Sequence, residues 1–286
     1  MELQQMRYAV AVAEERSFTR AAERCHVVQS ALSHQIKALE RELGVALFAR
    51  NSRRVEVTAA GKAFVAAARA SLEAAARAVA DAAAATGEIR GELTLGLIPT
   101  VTAIDIPAAL GVFHRTHPAV RIRLHAGSSD TFIAEIAAGA LDVAVLGLPR
   151  EVSHAGVRTR VLARTRHVAV VAGGHPLAER RRLRLEELAE ETFVDFPAAT
   201  PGRAQSDAAF DALGLRREIA FELMDIDLML DLVRHGLGIA LLPPGVVADG
   251  RDLRTVAVVD GPTRVECLAW SAFNPSPAAL AFLDGI

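Results

Sequence analysis

Gln29, Ser30, Ser33, His34 and Lys37 share one side of a segment whose other side carries Leu32, Ile36, Leu39 and Leu43. Amide, hydroxyl, imidazole and ammonium groups at that spacing are the donors and acceptors that read base edges and phosphates from a helix in a major groove. Further along, Arg50, Arg53 and Arg54 flank Asn51 and Ser52 between apolar residues. The basic tip of a β-hairpin would place those guanidinium groups on the DNA backbone or in a minor groove; on its own, Arg53-Arg54 reads equally as a solvated tip. Catalytic sets are missing: there is no Gly-x-Ser-x-Gly elbow, no Gly-x-x-x-x-Gly-Lys loop and no His-Glu-x-x-His. His114 and His117 are three apart, but His117 precedes Pro118 and falls at a helix end, so no metal site is expected.

The elements that must position these groups follow from periodicity. Leu3, Met6, Val10 and Ala13 predict a first amphipathic helix. Ser17 is placed to cap a second, through Phe18–Arg24, that stops near Cys25-His26. The third begins about Gln29 and ends at Gly44, a residue tolerant of the left-handed conformation. Two short helices joined by a tight turn, the second polar outward near its start, describe a helix-turn-helix, and residues 45–57 describe a wing. The Ala-rich run from Thr58 to about Ala85 predicts a long helix with one stripe of Phe64, Ala68, Leu72, Ala75 and Val79. That stripe suits either pairing with a second copy or packing on its own domain.

Residues 1–64 closely resemble the winged helix-turn-helix of LysR-type transcriptional regulators. The resemblance is carried in order by Leu3–Tyr8, Ser17–Arg24, Gln29–Ile36, Leu39–Gly44, Leu47–Arg50 and Val57–Gly61. Val28 stands where that family usually has Ser or Thr, Ser30 where Pro is common, and Ala9 where an aromatic is frequent. The resemblance implies a DNA-contacting set of Ser17, Thr19, Gln29, Ser30, Ser33, His34, Lys37, Arg50, Arg53 and Arg54. It also implies dimerisation through the linker helix.

Beyond Gly91 the pattern becomes α/β. Leu93–Ile98, Val120–Leu124 and Leu141–Leu146 read as strands, with helices at about Thr102–His114 and Thr131–Gly139 between them. Such alternation predicts a mostly parallel sheet covered on both faces. A second cycle starts at His167–Val171 and runs through a helix near Ser206–Leu213, a strand at Glu218–Leu223 and a helix at Asp227–His235. Val256–Val259 and Val265–Trp270 are then expected to return the chain to the first lobe. Two α/β lobes joined by crossovers leave a cleft for a small ligand.

This part resembles the effector-binding domain of LysR-type regulators, which has the two-lobed fold of periplasmic binding proteins. Gly139–Ala144, His175-Pro176-Leu177 and Gly236–Pro243 carry the likeness. The implied organisation is a winged helix-turn-helix over 1–58, a linker helix over 59–86 and an effector domain over 91–286. Its lobes are expected at about 91–161 plus 265–286, and at 162–264. The implied effector set is Thr100, Ser128, Leu148, Phe196, Thr200 and Arg203. Thr100 and Ser128 are expected at helix starts, as ligand hydroxyls or as caps. Arg203 is expected in a loop, as a two-pronged partner of a carboxylate or as an exposed arginine.

Composition narrows the class. The chain has 286 residues, 51% hydrophobic and 23% charged, which suits about two globular domains. Its two cysteines, Cys25 and Cys267, exclude a disulfide framework and fit a reducing compartment. The first residues lack a basic-then-apolar signal region and no apolar run reaches membrane-spanning length, so a cytoplasmic location is expected. The net charge of −2 splits unevenly. Residues 1–64 hold ten basic and seven acidic side chains, a balance of +3 that leaves −5 for the remainder. The expected partners are double-stranded operator DNA, a small and anionic effector, a second copy of the chain as dimer or tetramer, and RNA polymerase if the protein activates. No cofactor, metal or membrane partner is expected. An α/β binding protein or enzyme whose head serves protein contacts is the alternative, and salt-dependent DNA binding separates the two.

Overall fold

The computed structural model describes residues 1–50, 55–149, 154–247 and 252–286, with Arg50 described by its backbone only. The chain divides into two compact units, Met1–Glu88 and Ile89–Ile286.

The first unit runs α1 (Leu3–Glu15), α2 (Phe18–Arg24), α3 (Gln29–Leu43), β1 (Phe48–Arg50), β2 (Val55–Val57) and α4 (Ala59–Ala84). Its core gathers Tyr8, Ala9 and Val12 from α1, Phe18 and Ala21 from α2, and Leu32, Ile36 and Leu39 from α3. Ser17 caps α2 by accepting from the Arg20 amide at 3.3 Å. Val28 stands at the start of α3 without a side-chain cap bond and is 69% exposed, and the Ala31 amide is taken by the Val28 carbonyl at 3.1 Å. Gly44 ends α3 in the left-handed conformation. Ala9 is buried where a larger side chain would have to fit.

The wing is fixed to α3 by one carboxylate. Glu40 accepts from the amides of Leu47 at 2.8 Å and Phe48 at 3.1 Å. Thr58 then ties the wing to α4, its hydroxyl donating to the Ala46 carbonyl at 2.8 Å and accepting from the Gly61 amide at 2.9 Å. The backbones meet so closely there that a Cβ on Gly61 would lie 2.1 Å from the Leu47 carbonyl oxygen. The first half of α4 packs on α1, with Arg69 donating to Glu14 at 2.8 Å. From Ser71 to Val79 the helix buries no residue fully in the single chain.

The second unit contains two lobes. The first holds β3 (Gly91–Leu97), α5 (Ile106–Thr116), β4 (Val120–Ala126), α6 (Ser129–Ala137), β5 (Val143–Leu148) and β6 (Val157–Arg166). The chain then crosses into β7 (Val168–Ala172), β8 (Arg182–Leu183), α7 (Leu185–Leu188), β9 (Thr192–Asp195), α8 (Pro201–Asp211), β10 (Glu218–Glu222), α9 (Ile226–Arg234), β11 (Ala240–Leu242) and β12 (Leu253–Val258). It returns through β13 (Thr263–Ser271) and α10 (Pro277–Asp284) to the first lobe. The first sheet has the order β4-β3-β5-β13-β6 and the second β11-β7-β12-β8, with β9-β10 joined through a bridge at Phe193–Ile239.

Strand direction follows the expectation for the three strands read in the first lobe and departs from it where the crossovers and β11 pair. β3, β4 and β5 are parallel, but β13 runs antiparallel to β5 and β6, and β7 antiparallel to β11 and β12. The cause is the double crossover: one strand must leave the first lobe where another returns, so neighbours at the hinge point opposite ways. Val256–Val259 does not return to the first lobe; β12 pairs with β7 in the second, and the return is β13 alone. β6 has no counterpart among the predicted strands. It is the edge of its sheet, and Arg158, Arg160, Arg164 and Arg166 point outward from it, which hides the apolar alternation and guards the edge against unwanted pairing.

Each sheet is buried on both faces. Leu93, Leu95 and Val145 pack under α5 and α10, where Phe113 and Phe282 meet edge to face at 5.5 Å. Ala144, Leu146 and Cys267 pack under α6 with Phe132 and Ile136. Asp142 ties that lobe together: its carboxylate accepts from the Thr94 amide and hydroxyl and from Ser276, all at 2.8 Å.

Gly61→Ala is expected to destabilise the head by about 1–3 kcal/mol, because the added methyl overlaps backbone rather than a movable side chain. Urea unfolding followed by loss of DNA binding should show the midpoint shift; an unchanged midpoint would contradict the contact.

Candidate functional site

Two surfaces collect the chemistry. On the head, Thr19, Gln29, Ser30, His34 and Lys37 are exposed, while Leu32, Ile36 and Leu39 on the opposite side of α3 are buried. Ser17 and Ser33 are half-buried, the first using its hydroxyl as a cap. α3 therefore presents a continuous polar face that starts at its N-terminus, where free amides favour phosphate oxygens. β1 ends on Arg50; Arg53 and Arg54 lie outside the described residues. Cys25 sits in the turn before α3 and packs against the head core, with burial pushing its thiol pKa up.

The second surface is a cleft between the lobes of the body. Its first-lobe wall is Ile98, Pro99 and Thr100 after β3, Gly127, Ser128 and Ser129 at the start of α6, and Gly147 in β5. The second-lobe wall is Phe196, Thr200, Pro201, Gly202 and Gln205, with Met224 and Pro243. His167 and Arg264 complete it from the two crossovers. The starts of α6 and α8 face this space from opposite lobes. Ser128 caps α6 by accepting from the Thr131 amide at 3.4 Å, and Thr200 caps α8 by accepting from the Arg203 amide at 3.3 Å.

Of the residues expected to contact an effector, Thr100, Ser128, Phe196 and Thr200 line the cleft, and Leu148 and Arg203 are not among its lining residues. Thr100 is not at a helix start. Asp105 and Pro107 move the start of α5 to Ile106, and the Thr100 hydroxyl accepts from Arg264 Nη1 at 2.6 Å. Arg203 is in a helix rather than a loop, because Thr200 and Pro201 supply a cap and a first residue. Its guanidinium is held inside the protein, donating to Asp207 at 2.9 Å, Glu222 at 2.8 Å and the Phe196 carbonyl at 3.2 Å. Asp207 also accepts from Arg217, which reaches buried Asp195 at 2.6 Å and lies over the rings of Phe193 and Phe210. Burial raises the Asp195 carboxyl against the pull of Arg217. This network fixes α8 and the Phe196 loop beside the cleft.

The arginine that does line the cleft is Arg264, which the sequence reading passed over. It donates to the Thr100 hydroxyl and, at 2.7 Å, to the Thr100 carbonyl, and it is paired with Glu266. Glu266 is fully buried and accepts from the amides of Thr102 and Ala103, both at 3.0 Å, and from the Thr102 hydroxyl at 2.9 Å. Burial lowers the pKa of Arg264 while Glu266 opposes the shift, and a guanidinium stays charged through such a shift. His167 and Gln205 were equally unread. His167 follows Arg166 at a strand start and Gln205 lies among Arg203, Ser206 and Asp207, so neither has a spacing that sets it apart.

Burial, reinforced by the charge of Arg264, pushes the His167 imidazole from its ordinary 6.5 down to about 3. The ring is therefore neutral in the folded protein near neutral pH. Between those two values the unfolded chain binds a proton that the folded chain refuses. This stabilisation is complete above pH 6.5 and is lost as pH falls, at up to about 1.4 kcal/mol per unit. Denaturation midpoints of the native protein should fall from pH 6.5 to pH 4.5 more steeply than those of His167→Gln; parallel curves would contradict the buried neutral ring.

Known families match both the head and the body. Residues 3–62 match the bacterial regulatory helix-turn-helix protein family of lysR type, and residues 86–286 match the LysR substrate binding domain. The chain is 34% identical over 243 residues to the hydrogen peroxide-inducible genes activator of Pectobacterium carotovorum subsp. carotovorum, covering 85% of this chain and 80% of the relative. It is also 34% identical over 243 residues to the DNA-binding transcriptional dual regulator OxyR of Escherichia coli (strain K12), covering 85% and 79%. Among solved structures it is similar to a full-length OxyR variant from Pseudomonas aeruginosa, with a TM-score of 0.75, 26% identity and coverage of 100% and 94%. Full-length CbnR complexed with its target DNA gives a TM-score of 0.73, 26% identity and coverage of 100% and 99%. The matches take in the head and the body in order, and the chain belongs to the LysR family of DNA-binding transcriptional regulators.

Proposed function

We propose that the protein binds operator DNA as a homo-oligomer and that a small carboxylate held between the lobes sets its regulatory state. One observation carries the reading of the cleft: two helix N-termini from opposite lobes meet there beside the buried guanidinium of Arg264. Free helix amides and a cation favour an anion, and an anion touching both lobes binds the closed arrangement better than an open one. That difference in affinity is what moves the lobes, and the linker helix carries the movement to the DNA heads. α4 supports pairing with a second copy, because its middle turns leave Val79 exposed and Leu72 and Ala75 half-covered in one chain. A dimer suits a pseudo-palindromic operator.

A second reading comes from the relatives named as hydrogen peroxide-inducible activators, namely sensing by thiol oxidation. The cysteines of this chain argue against it. Cys267 is 2% exposed, and burial with the Glu266 charge pushes its thiol up to about 11, so almost none is thiolate. Cys25 is half-buried with its pKa likewise raised. A reversibly bound ligand fits the body better. The protein acts by binding and not by catalysis, in the cytoplasm, with RNA polymerase as a further partner where it activates. Among the described residues no helix is long and apolar enough to cross a membrane, and no group of three or more His, Cys, Asp or Glu is placed to hold a metal ion.

DNA binding by the native protein should weaken linearly on a log–log scale as salt rises. Lys37→Ala should reduce that slope by about one, and Arg53→Ala and Arg54→Ala should act in the same direction. Fluorescence anisotropy with an operator fragment reads the slopes. Salt-insensitive binding, or none by a folded oligomer, would overturn the DNA-binding role assigned to the head.

A further inference from the structure

The cleft holds an unusual surplus of hydrogen-bonding atoms. His167 and Arg264 are each 3% exposed and Gln205 is 5% exposed. Both ring nitrogens of His167, Oε1 of Gln205 and Nε of Arg264 have no hydrogen-bond partner. The orientation of Gln205 is fixed: its Nε2 donates across the cleft to the Gly147 carbonyl at 3.2 Å, and a carbonyl only accepts. Its free atom is therefore an acceptor. A neutral imidazole offers one donor and one acceptor. The unpaired groups of these cleft-lining residues are thus two donors, Arg264 Nε–H and one His167 N–H, and two acceptors, Gln205 Oε1 and the other His167 nitrogen.

A simple carboxylate satisfies only half of this. Its oxygens accept from Arg264 and the helix amides but have nothing to give Gln205 or His167, and a buried acceptor left unpaired is costly. The ligand must carry a donor as well. An ammonium group would add a cation to a cleft whose only charged lining residue, among those described, is Arg264, and no carboxylate lines it. A hydroxyl adds a donor without charge. Gln205 leaves α8 just over one turn from its start, and helical side chains lean back toward the N-terminus. That sets the acceptor beside the carboxylate position.

From this we infer that the effector is a small hydroxycarboxylate, its carboxylate at the facing helix starts with Arg264 and its hydroxyl donating to Gln205 Oε1. The inference rests on the reading of the cleft as an anion site. Ile98, Phe196 and Met224 then cover the apolar part of the ligand.

Matched acids test it by calorimetry on the full-length protein: propionate, lactate, pyruvate and alanine; isovalerate, 2-hydroxyisovalerate, 2-oxoisovalerate and valine; phenylacetate, mandelate, phenylglyoxylate and phenylglycine. In at least one set the hydroxy acid should bind tenfold or more tighter than the parent and the oxo acid. In Gln205→Met that preference should fall to within about threefold; should that variant not fold, the native ratios decide. Parent or oxo acids binding as tightly as every hydroxy acid would overturn the hydroxyl assignment and leave the anion site standing. An amino acid binding as tightly as its hydroxy counterpart would overturn it in favour of an amino acid effector. No binding by any acid would overturn the anion site and this inference together.

Discussion

A pair of opposite charges buried on one strand constrains the body of this protein. Arg264 and Glu266 lie two residues apart on β13, the strand that carries the chain back from the second lobe, and neither touches bulk water appreciably. Burying such a pair is favourable only when the remaining donors and acceptors are satisfied. Glu266 meets that condition with the amides of Thr102 and Ala103, and Arg264 meets it in part, with the hydroxyl and carbonyl of Thr100, its Nε staying unpaired. The loop after β3 therefore cannot move independently of the returning crossover. The same arginine lines the cleft, so the cleft wall and the returning crossover share a single set of bonds.

The head works on the opposite principle. Its polar groups stay at the surface, and its interior is apolar, with Leu32, Ile36, Leu39 and Leu47 packed among Phe18, Phe48 and several alanines. Glu40 spends its charge on the wing amides instead of facing the phosphates, and Glu14 spends its charge on Arg24 and Arg69. Glu40 and Glu14 are thus both engaged within the head. The −5 of the remainder is consistent with a body that does not compete for phosphates.

Much of the head was legible in the sequence because its signals are local. The spacing of Leu32, Ile36 and Leu39 gave the buried side of α3, and Ser17 and Gly44 marked helix ends that the structure has at those residues. In the body the alternation of strands and helices was legible, and so was the parallel run of β3, β4 and β5, but the antiparallel pairing of β13 and β7 was not, since it depends on the hinge where two crossovers pass. β6 was hidden by its outward arginines, and α8 was read five residues late because Pro201 looked like a loop residue when it begins a helix. That late start also misplaced Arg203. The cleft arginine escaped notice because Arg264 and Glu266 alternate with Val265 and Cys267, which resembles a half-exposed strand until both faces are covered.

The direct test of this account is a double-mutant cycle on Arg264→Met and Glu266→Gln, read by chemical denaturation of the full chain. If the buried pair is the shared constraint, each single change leaves an uncompensated partner and costs roughly 3–5 kcal/mol, whereas the double change costs clearly less than their sum. Strictly additive losses would contradict the account, showing that the two charges are held independently and that the loop, the hinge and the cleft are not coupled through them.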